Sequence, residues 1–352
     1  IGLGLLRAVE PWTKWIAGWG FDAAVGPGDL DEITVLARIK SLIGDPDIDV
    51  SITRTTTWYV NEQYATCYQE GRVFCGGDAV HRHPPSNGLG ANTSIQDAFN
   101  LAWKLAFAVH GLAGPSLLES YSQERVPVGQ QIVTRANQSR REFAGLRQWF
   151  DRDADDPVAA GLAGLQERTP HGASLRHRMY EALRVKQYEF NAQGVESNQR
   201  YQSSAVLEDP TATVELWERD RELFPQPTTR PGAKLPHAWL VGRDGLRTST
   251  LDTVGDGKFS VLTGLSGSAW EEAVSLLGVP WLRVVVIGAD GTTDPYGEWW
   301  ALREIDEAGV LLVRPDGHVA WRHAAAVSDS TVAKEMLENA LSRVLGIEGV
   351  VR

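Results

Sequence analysis

Cysteine is almost missing from this 352-residue chain: Cys67 and Cys75 are the only two. At most one bridge can form, which excludes a disulfide-framed scaffold and fits a reducing compartment, the cytoplasm. A surplus of positive charge is missing as well. With 34 Lys and Arg against 45 Asp and Glu, the formal net charge is −11. That sign repels phosphate backbones and anionic lipid, so neither nucleic acid nor a membrane surface is an expected partner. No apolar run approaches the ~20 residues that span a bilayer, and no solenoid repeat or low-complexity tract occurs. An initiator Met is also lacking: the chain opens Ile1-Gly2-Leu3-Gly4 with no strand-start or capping signal before it, as expected of an internal start.

Hydrophobic residues make up 43% of the chain, enough for substantial cores, and the length suits about two domains of ~100–200 residues. Leu36, Ile39 and Leu42–Ile43 suit a helix stopped by Gly44 and Pro46, and Val50 to Val60 reads as a strand. Gln69-Glu-Gly71 reads as a turn, and Arg72-Val-Phe-Cys75 as a buried strand ending at Gly76–Gly77, with Cys75 an inert buried thiol. Asn92 to His110 gives the clearest helix, with Ile95, Ala98, Phe99, Ala102, Leu105, Ala106 and Val109 at helical spacing. Thr93 with Gln96 is a candidate capping box. A second helix is expected to open with Ser116 and Glu119 and run toward residue 148, with Pro127 as a kink or break. Asp151 to Asp156 reads as an acidic loop, and Pro225, Pro227 and Pro231 punctuate a linker, so a boundary falls near 230. Beyond it come a strand (Phe259 to Thr263), a helix from Ser268 to Leu277, and a strand (Leu282 to Ile287). A hairpin around Arg314-Pro-Asp-Gly317 and a helix from Val332 to Leu345 follow. This order is that of a thioredoxin-like domain, here without redox cysteines.

The stretch that carries chemistry is Gly76-Gly-Asp-Ala-Val-His-Arg-His-Pro-Pro-Ser-Asn-Gly-Leu-Gly-Ala-Asn-Thr93. A strand end, an acid, a proline pair and glycines feeding a helix start gather backbone amides, a positive dipole end and one carboxylate around one point. Such a site suits a ligand with an electron-rich carbonyl or anion at one end and hydroxyls for Asp78. Gly88 and Gly90 let backbone approach a flat group, while Pro84–Pro85 stiffens the loop.

Here the sequence resembles the class A flavin-dependent aromatic monooxygenases of the p-hydroxybenzoate hydroxylase fold, and within them the phenol hydroxylase and 2,4-dichlorophenol monooxygenase group. The resemblance rests on Gly71-Arg-Val-Phe, Gly77-Asp-Ala-Val-His81, Pro84–Pro85, Gly88-Leu-Gly-Ala-Asn92 and Asp97-Ala-Phe-Asn-Leu-Ala-Trp-Lys-Leu105. Tyr121, Glu124–Arg125 and the thioredoxin-like tail also match. It implies an α/β (α+β) chain with three parts: a partial FAD- and substrate-binding domain over 1–150, a connecting helical region over 151–230, and a thioredoxin-like domain over 231–352. It further implies FAD, with NAD(P)H and O2 as co-substrates, and hydroxylation of a phenol. Asp78 would accept from a ribityl hydroxyl, with Gly77 in the same turn. The amides of Ala91 and Asn92 would face the flavin's pyrimidine carbonyl, with Gly88 and Gly90 close by. Pro85 would lie beside the ring and the substrate, and Trp58 by the substrate. The tail would serve packing or a homodimer. The family's Gly-x-Gly-x-x-Gly fingerprint is not found, because Arg7 stands at the third glycine of Gly2-x-Gly4. Its Asp-Gly motif and its phenol-activating residues are not found either. An N-terminally truncated member is therefore expected, and no catalytic residue is assigned.

Blander readings stand beside these. Asp78, His81 and His83 could be metal ligands, but no further ligand cluster is evident, so no metal is expected. Core packing explains Trp58, Tyr59 and Tyr64 as well as a substrate wall does. Trp299–Trp300 and Trp321 suit either the second domain's interior or an oligomer surface. Gly264-Leu-Ser266-Gly-Ser268 lacks the closing glycine of a nucleophile elbow and reads as a turn. The rival from another class is a non-catalytic fold remnant acting as a binding or dimerisation protein. A hydroxylase of larger polyketide-like aromatics shares the same motif.

Overall fold

The computed structural model describes residues 4–21, 24–147, 157–289 and 291–350. The acidic stretch Asp151 to Asp156 and the opening Ile1-Gly2-Leu3 lie outside the described residues. Two compact units are present: residues up to Val60 with Leu146–Tyr180, and Asn61–Gly145 with the chain from Glu181 onward.

In the first unit, β1 (Gly4–Glu10) and β2 (Lys14–Trp19) form an antiparallel hairpin. Helix α1 (Glu32–Ile43) starts where the Asp31 carboxylate accepts from the Thr34 amide at 3.0 Å, and ends at Gly44, φ 82°. The stop is the one the sequence shows. Val50 to Val60 is not a strand, however. Its run of threonines has the composition for one, but among the described residues no strand pairs with it, and a strand without a ladder does not persist.

The second unit opens with two-residue strands β3 (Gln63–Tyr64), β4 (Gln69–Glu70), β5 (Val73–Phe74) and β6 (His81–Arg82). β4 and β5 make a hairpin turning at Gly71, φ 57°, and β3 pairs with β6. The expected buried strand at Arg72 to Cys75 is thus short and outward-facing, and the Cys75 thiol is exposed rather than buried. Tyr68, not Cys75, fills the interior there.

Helix α2 (Leu89–Val109) and helix α3 (Pro115–Glu142) pack side by side. Neither begins with the expected capping box. Gly88, φ 67°, caps α2 without a side chain, and Gly114 caps α3 with Pro115 at its first position. Pro127 sits inside α3 without ending it: both Pro127 and Gln123, whose carbonyl loses its partner, face solvent. The larger difference is which side of α2 is buried. Its apolar stripe lies outward, with Ile95 66%, Phe99 57% and Val109 82% exposed. The buried side carries Leu89, Thr93, Asp97, Asn100, Trp103, Lys104 and Phe107. Asp97, Asn100 and Lys104 can face inward because each meets a partner on α3.

That sheet has the order β8-β7-β9-β10, from β7 (Phe259–Gly264), β8 (Leu282–Ile287), β9 (Val310–Val313) and β10 (Val319–His323). β8 runs parallel to β7, and the other pairs are antiparallel. Helices α4 (Ser268–Leu277) and α5 (Ser330–Leu345) pack against each other over one core. Gly267 caps α4 without a side chain, and the helix stops at Gly278, φ 62°. β8 is an edge strand, so only its ends are fully buried. Trp299 is buried, Trp300 exposed and Trp321 half-buried. Trp103 and Phe107 of α2 join this core: Trp103 meets Phe259 and Phe107 meets both Phe259 and Trp281, each edge-on at 5.5 Å between ring centroids. The C-terminal half of α2 is thereby locked to the sheet, and its N-terminal half is free to present a site.

Candidate functional site

The segment between β5 and α2 is built from two tight turns. Gly77 opens the first in the left-handed region, φ 62°, and a Cβ there would come within 2.9 Å of Ser94 Oγ on α2. Only glycine allows that turn to lie against the helix. The second turn reverses the chain at Asn87 and Gly88, both at φ 67°, with the Gly88 amide on the Pro85 carbonyl at 3.2 Å. Between them, His83 Nδ1 donates to the Pro84 carbonyl at 2.7 Å, and burial holds the His83 pKa below its usual value. The Pro84–Pro85 loop is therefore braced by a ring as well as by its own stiffness.

The structure places the expected residues as follows. Gly77 is buried; Asp78 is exposed, its carbonyl takes Arg82 Nε at 3.1 Å, and its carboxylate carries no hydrogen bond among the described residues. Pro85, Gly88, Ala91 and Asn92 are exposed and Gly90 is half-buried. Ala91 and Asn92 are the third and fourth residues of α2. The Ala91 amide therefore has no acceptor in the helix's own ladder, and that ladder begins at Asn92. No side chain caps the Gly88 end, so its amides and the positive dipole end stay available. Beside it, Leu89, Asn92, Thr93, Gln96, Ile132 and Val195 line a groove of ≈ 350 Å³. Trp58 belongs to the other unit and is 59% exposed, so core packing does not account for it.

Beneath the turns lies a buried anchor that sequence reasoning missed. Asp97 Oδ2 accepts from the Gly77 amide and faces His81 Nε2, both at 2.9 Å, and Oδ1 accepts from Arg125 Nε at 2.7 Å. Burial works to raise the Asp97 pKa, but these three donors outweigh it and hold the carboxyl below its usual range. Tyr121 donates its hydroxyl to the Cys75 carbonyl at 2.8 Å. Further along α2, Glu124 of α3 accepts from Lys104 Nζ at 2.8 Å and from Asn100 Nδ2 and Ser203 Oγ, each at 2.6 Å. Arg314 Nη1 and Nη2 reach it at 2.6 and 2.9 Å. Burial opposes ionisation there too, yet Arg314 and Lys104 pull Glu124 down to about 2, while burial drives Lys104 to about 8 despite its partner. The available signal was the polar set Thr93, Asp97, Asn100 and Lys104 at helical spacing on the opposite side of α2 from the apolar stripe.

An exposed carboxylate beside an uncapped helix start, with open backbone at Gly88, fits a cofactor offering hydroxyls to one and a carbonyl to the other. Residues 3–136 match the FAD binding domain family, and residues 228–347 match the aromatic-ring hydroxylase C-terminal family. The chain belongs to the class A flavin monooxygenases. It is 46% identical, over 99% of its own length and 60% of the relative's, to a 2,4-dichlorophenol 6-monooxygenase of Delftia acidovorans. To a phenol 2-monooxygenase of Pseudomonas sp. (strain EST1001) it is 45% identical, over 93% of this chain and 55% of that one. Its fold is similar, at a TM-score of 0.87 and 42% identity, to the flavin-dependent monooxygenase PieE solved with FAD and substrate, over 97% of this chain and 59% of that chain. The chain thus spans between 50% and 60% of the length of these and similar curated relatives.

Among the described residues, no helix is long and apolar enough to cross a membrane.

Proposed function

We propose that this chain supplies the flavin-facing turn and part of the substrate wall of an enzyme that hydroxylates a phenol with NAD(P)H and O2. The observation that carries the reading is the free Asp78 carboxylate held beside the uncapped start of α2. Asp78 is assigned to a ribityl hydroxyl. Of the two amides assigned to the pyrimidine carbonyl end of the ring, those of Ala91 and Asn92, the Ala91 amide is the one without an acceptor in the helix, and it takes that role with Asn92 beside it. When bound, FAD supplies the redox chemistry, accepting hydride from NAD(P)H and activating O2 for transfer of one oxygen atom.

The protein's part is placement. The positive end of α2 favours the ring's reduced, negatively charged form. Gly88 and Gly90 let backbone come close to the flat ring, and the braced Pro84–Pro85 segment puts the Pro85 carbonyl at the substrate edge. Trp58 is likewise assigned to the substrate. Residues 1–150 are assigned to the FAD and substrate domain and 151–230 to a connector. Residues 231–352 are assigned to a thioredoxin-like domain that serves packing or a homodimer contact. The two free thiols suit a reducing compartment, and we place the enzyme in the cytoplasm. That the relatives are monooxygenases favours this reading over a non-catalytic remnant.

The test uses the full-length gene product, purified and scanned for a visible flavin spectrum, then assayed for NAD(P)H oxidation with a panel of phenols. Bound FAD and phenol-stimulated oxidation are expected. A protein with neither contradicts the reading.

A further inference from the structure

Two of the three donors that Asp97 holds lie on the turn carrying Asp78. The Gly77 amide immediately precedes Asp78 and the His81 ring follows it by three residues, while the third donor, Arg125, fastens the carboxylate to α3. Both oxygens are used, and the side chains of His81, Arg125 and Asp97 are all essentially inaccessible. Tyr121 of α3 takes the Cys75 carbonyl on the other side of the same turn. The turn is thus tied through the backbone at 75 and 77 and through the side chain at 81, and Asp78, in the middle, is left with a carboxylate free of hydrogen bonds among the described residues. Asp97 stands two turns inside the helix whose first residues offer the amides, so one side chain joins both halves of the site.

A buried carboxylate is costly to desolvate, and a packed apolar residue would stabilise the helix pair as well or better. Its arrangement is accounted for by what it fixes. We propose that Asp97 is a positioning residue for flavin binding: it holds the Asp78 turn at a set distance from the α2 N-terminus, so that the cofactor meets a preformed site. The proposal rests on the flavin reading above, and its test separates the two. Ordering a loose turn on binding would cost affinity that a preformed turn keeps.

The experiment compares Asp97→Asn with Glu124→Gln in the full-length gene product. The first substitution keeps the side chain's size but replaces one acceptor oxygen by NH2, so either the Gly77 and His81 donors or Arg125 lose their acceptor and the clamp between turn and helices is broken. Glu124→Gln disturbs an equally buried ion cluster on the same helices, with no partner in the turn. Amide hydrogen exchange over residues 76–83 is measured without cofactor, and FAD dissociation constants by flavin fluorescence. For Asp97→Asn, exchange at residues 77–81 is expected to speed up by about tenfold or more, and FAD to bind about tenfold more weakly. Glu124→Gln is expected to lower the melting temperature while leaving both readouts close to wild type. Should Asp97→Asn not fold, Tyr121→Phe releases the Cys75 carbonyl alone. It is expected to loosen residues 75–78 and weaken FAD a few-fold, about 3 times.

Unchanged exchange in the turn overturns the proposal, as does a loss no greater than in Glu124→Gln. So does a loosened turn with unchanged FAD affinity. If the wild-type protein binds no FAD, the flavin reading fails, and the exchange comparison still decides whether Asp97 clamps the turn.

Discussion

Glu124 and Arg314 are 190 residues apart in the chain and meet through two hydrogen bonds, 2.6 and 2.9 Å, with both side chains wholly buried. This pair bolts the C-terminal sheet to the helices that carry the candidate site. Replacing Arg314 by Met leaves Glu124 and Asp316 buried with fewer partners, and such a break costs about 3–5 kcal/mol. Urea denaturation of Arg314→Met is expected to show a loss of that size. A change below about 1 kcal/mol, the level of an exposed pair, contradicts the assignment.

Acid should find the same joint. The folded-state pKa of Glu124 is drawn to about 2, beneath its ordinary 4.5. A carboxyl depressed on folding contributes stability that is complete above the unfolded pKa and is lost as pH falls toward the folded one. Stability is therefore expected to decline as pH drops below 4.5 toward about 2. Glu124→Gln, less stable at neutral pH, should show a shallower decline over that window. Parallel curves for the two proteins would mean that Glu124 does not titrate as described.

Gly77→Ala puts a Cβ 2.9 Å from Ser94 Oγ and a side chain on a left-handed backbone. The conformation alone costs about 1–2 kcal/mol. Chemical denaturation should show that loss, and adding Ser94→Ala should recover only the steric share. Full recovery would show that the backbone conformation was not the limiting factor.

Phe107 touches Phe259 and Trp281 edge-on. Phe107→Ala is expected to cost about 3–5 kcal/mol in a melting or urea experiment. A small loss would place α2 away from the sheet and remove the rigid base under the turn.

The C-terminal ends of α2, α4 and α5 were legible because helical period and glycine stops are local signals, and Gly278 stops α4 where the pattern ends. The starts were not legible. Ser116 and Ser268 look like caps in sequence, but Gly114 and Gly267 hold those positions. The inward side of α2 was misread for a deeper reason. Asp97 and Lys104 look like surface residues until Gly77, Arg125 and Glu124 are brought beside them, and those pairings depend on the tertiary fold. The strand expected at Val50 to Val60 failed likewise, since composition cannot supply a pairing partner. The turn itself was readable because Gly77, Asp78, the proline pair and Gly88 are close together in sequence, so chemistry and spacing coincide on one stretch. Asp97, which holds that turn, lies on the following helix and gave no such cue.

The most direct measurement is a hydrogen-exchange footprint of FAD on the full-length gene product, with Asp78→Asn beside it. Addition of FAD is expected to slow exchange at residues 76–92, and Asp78→Asn to weaken that protection. A footprint that leaves 76–92 untouched, or one indifferent to Asp78, contradicts the account.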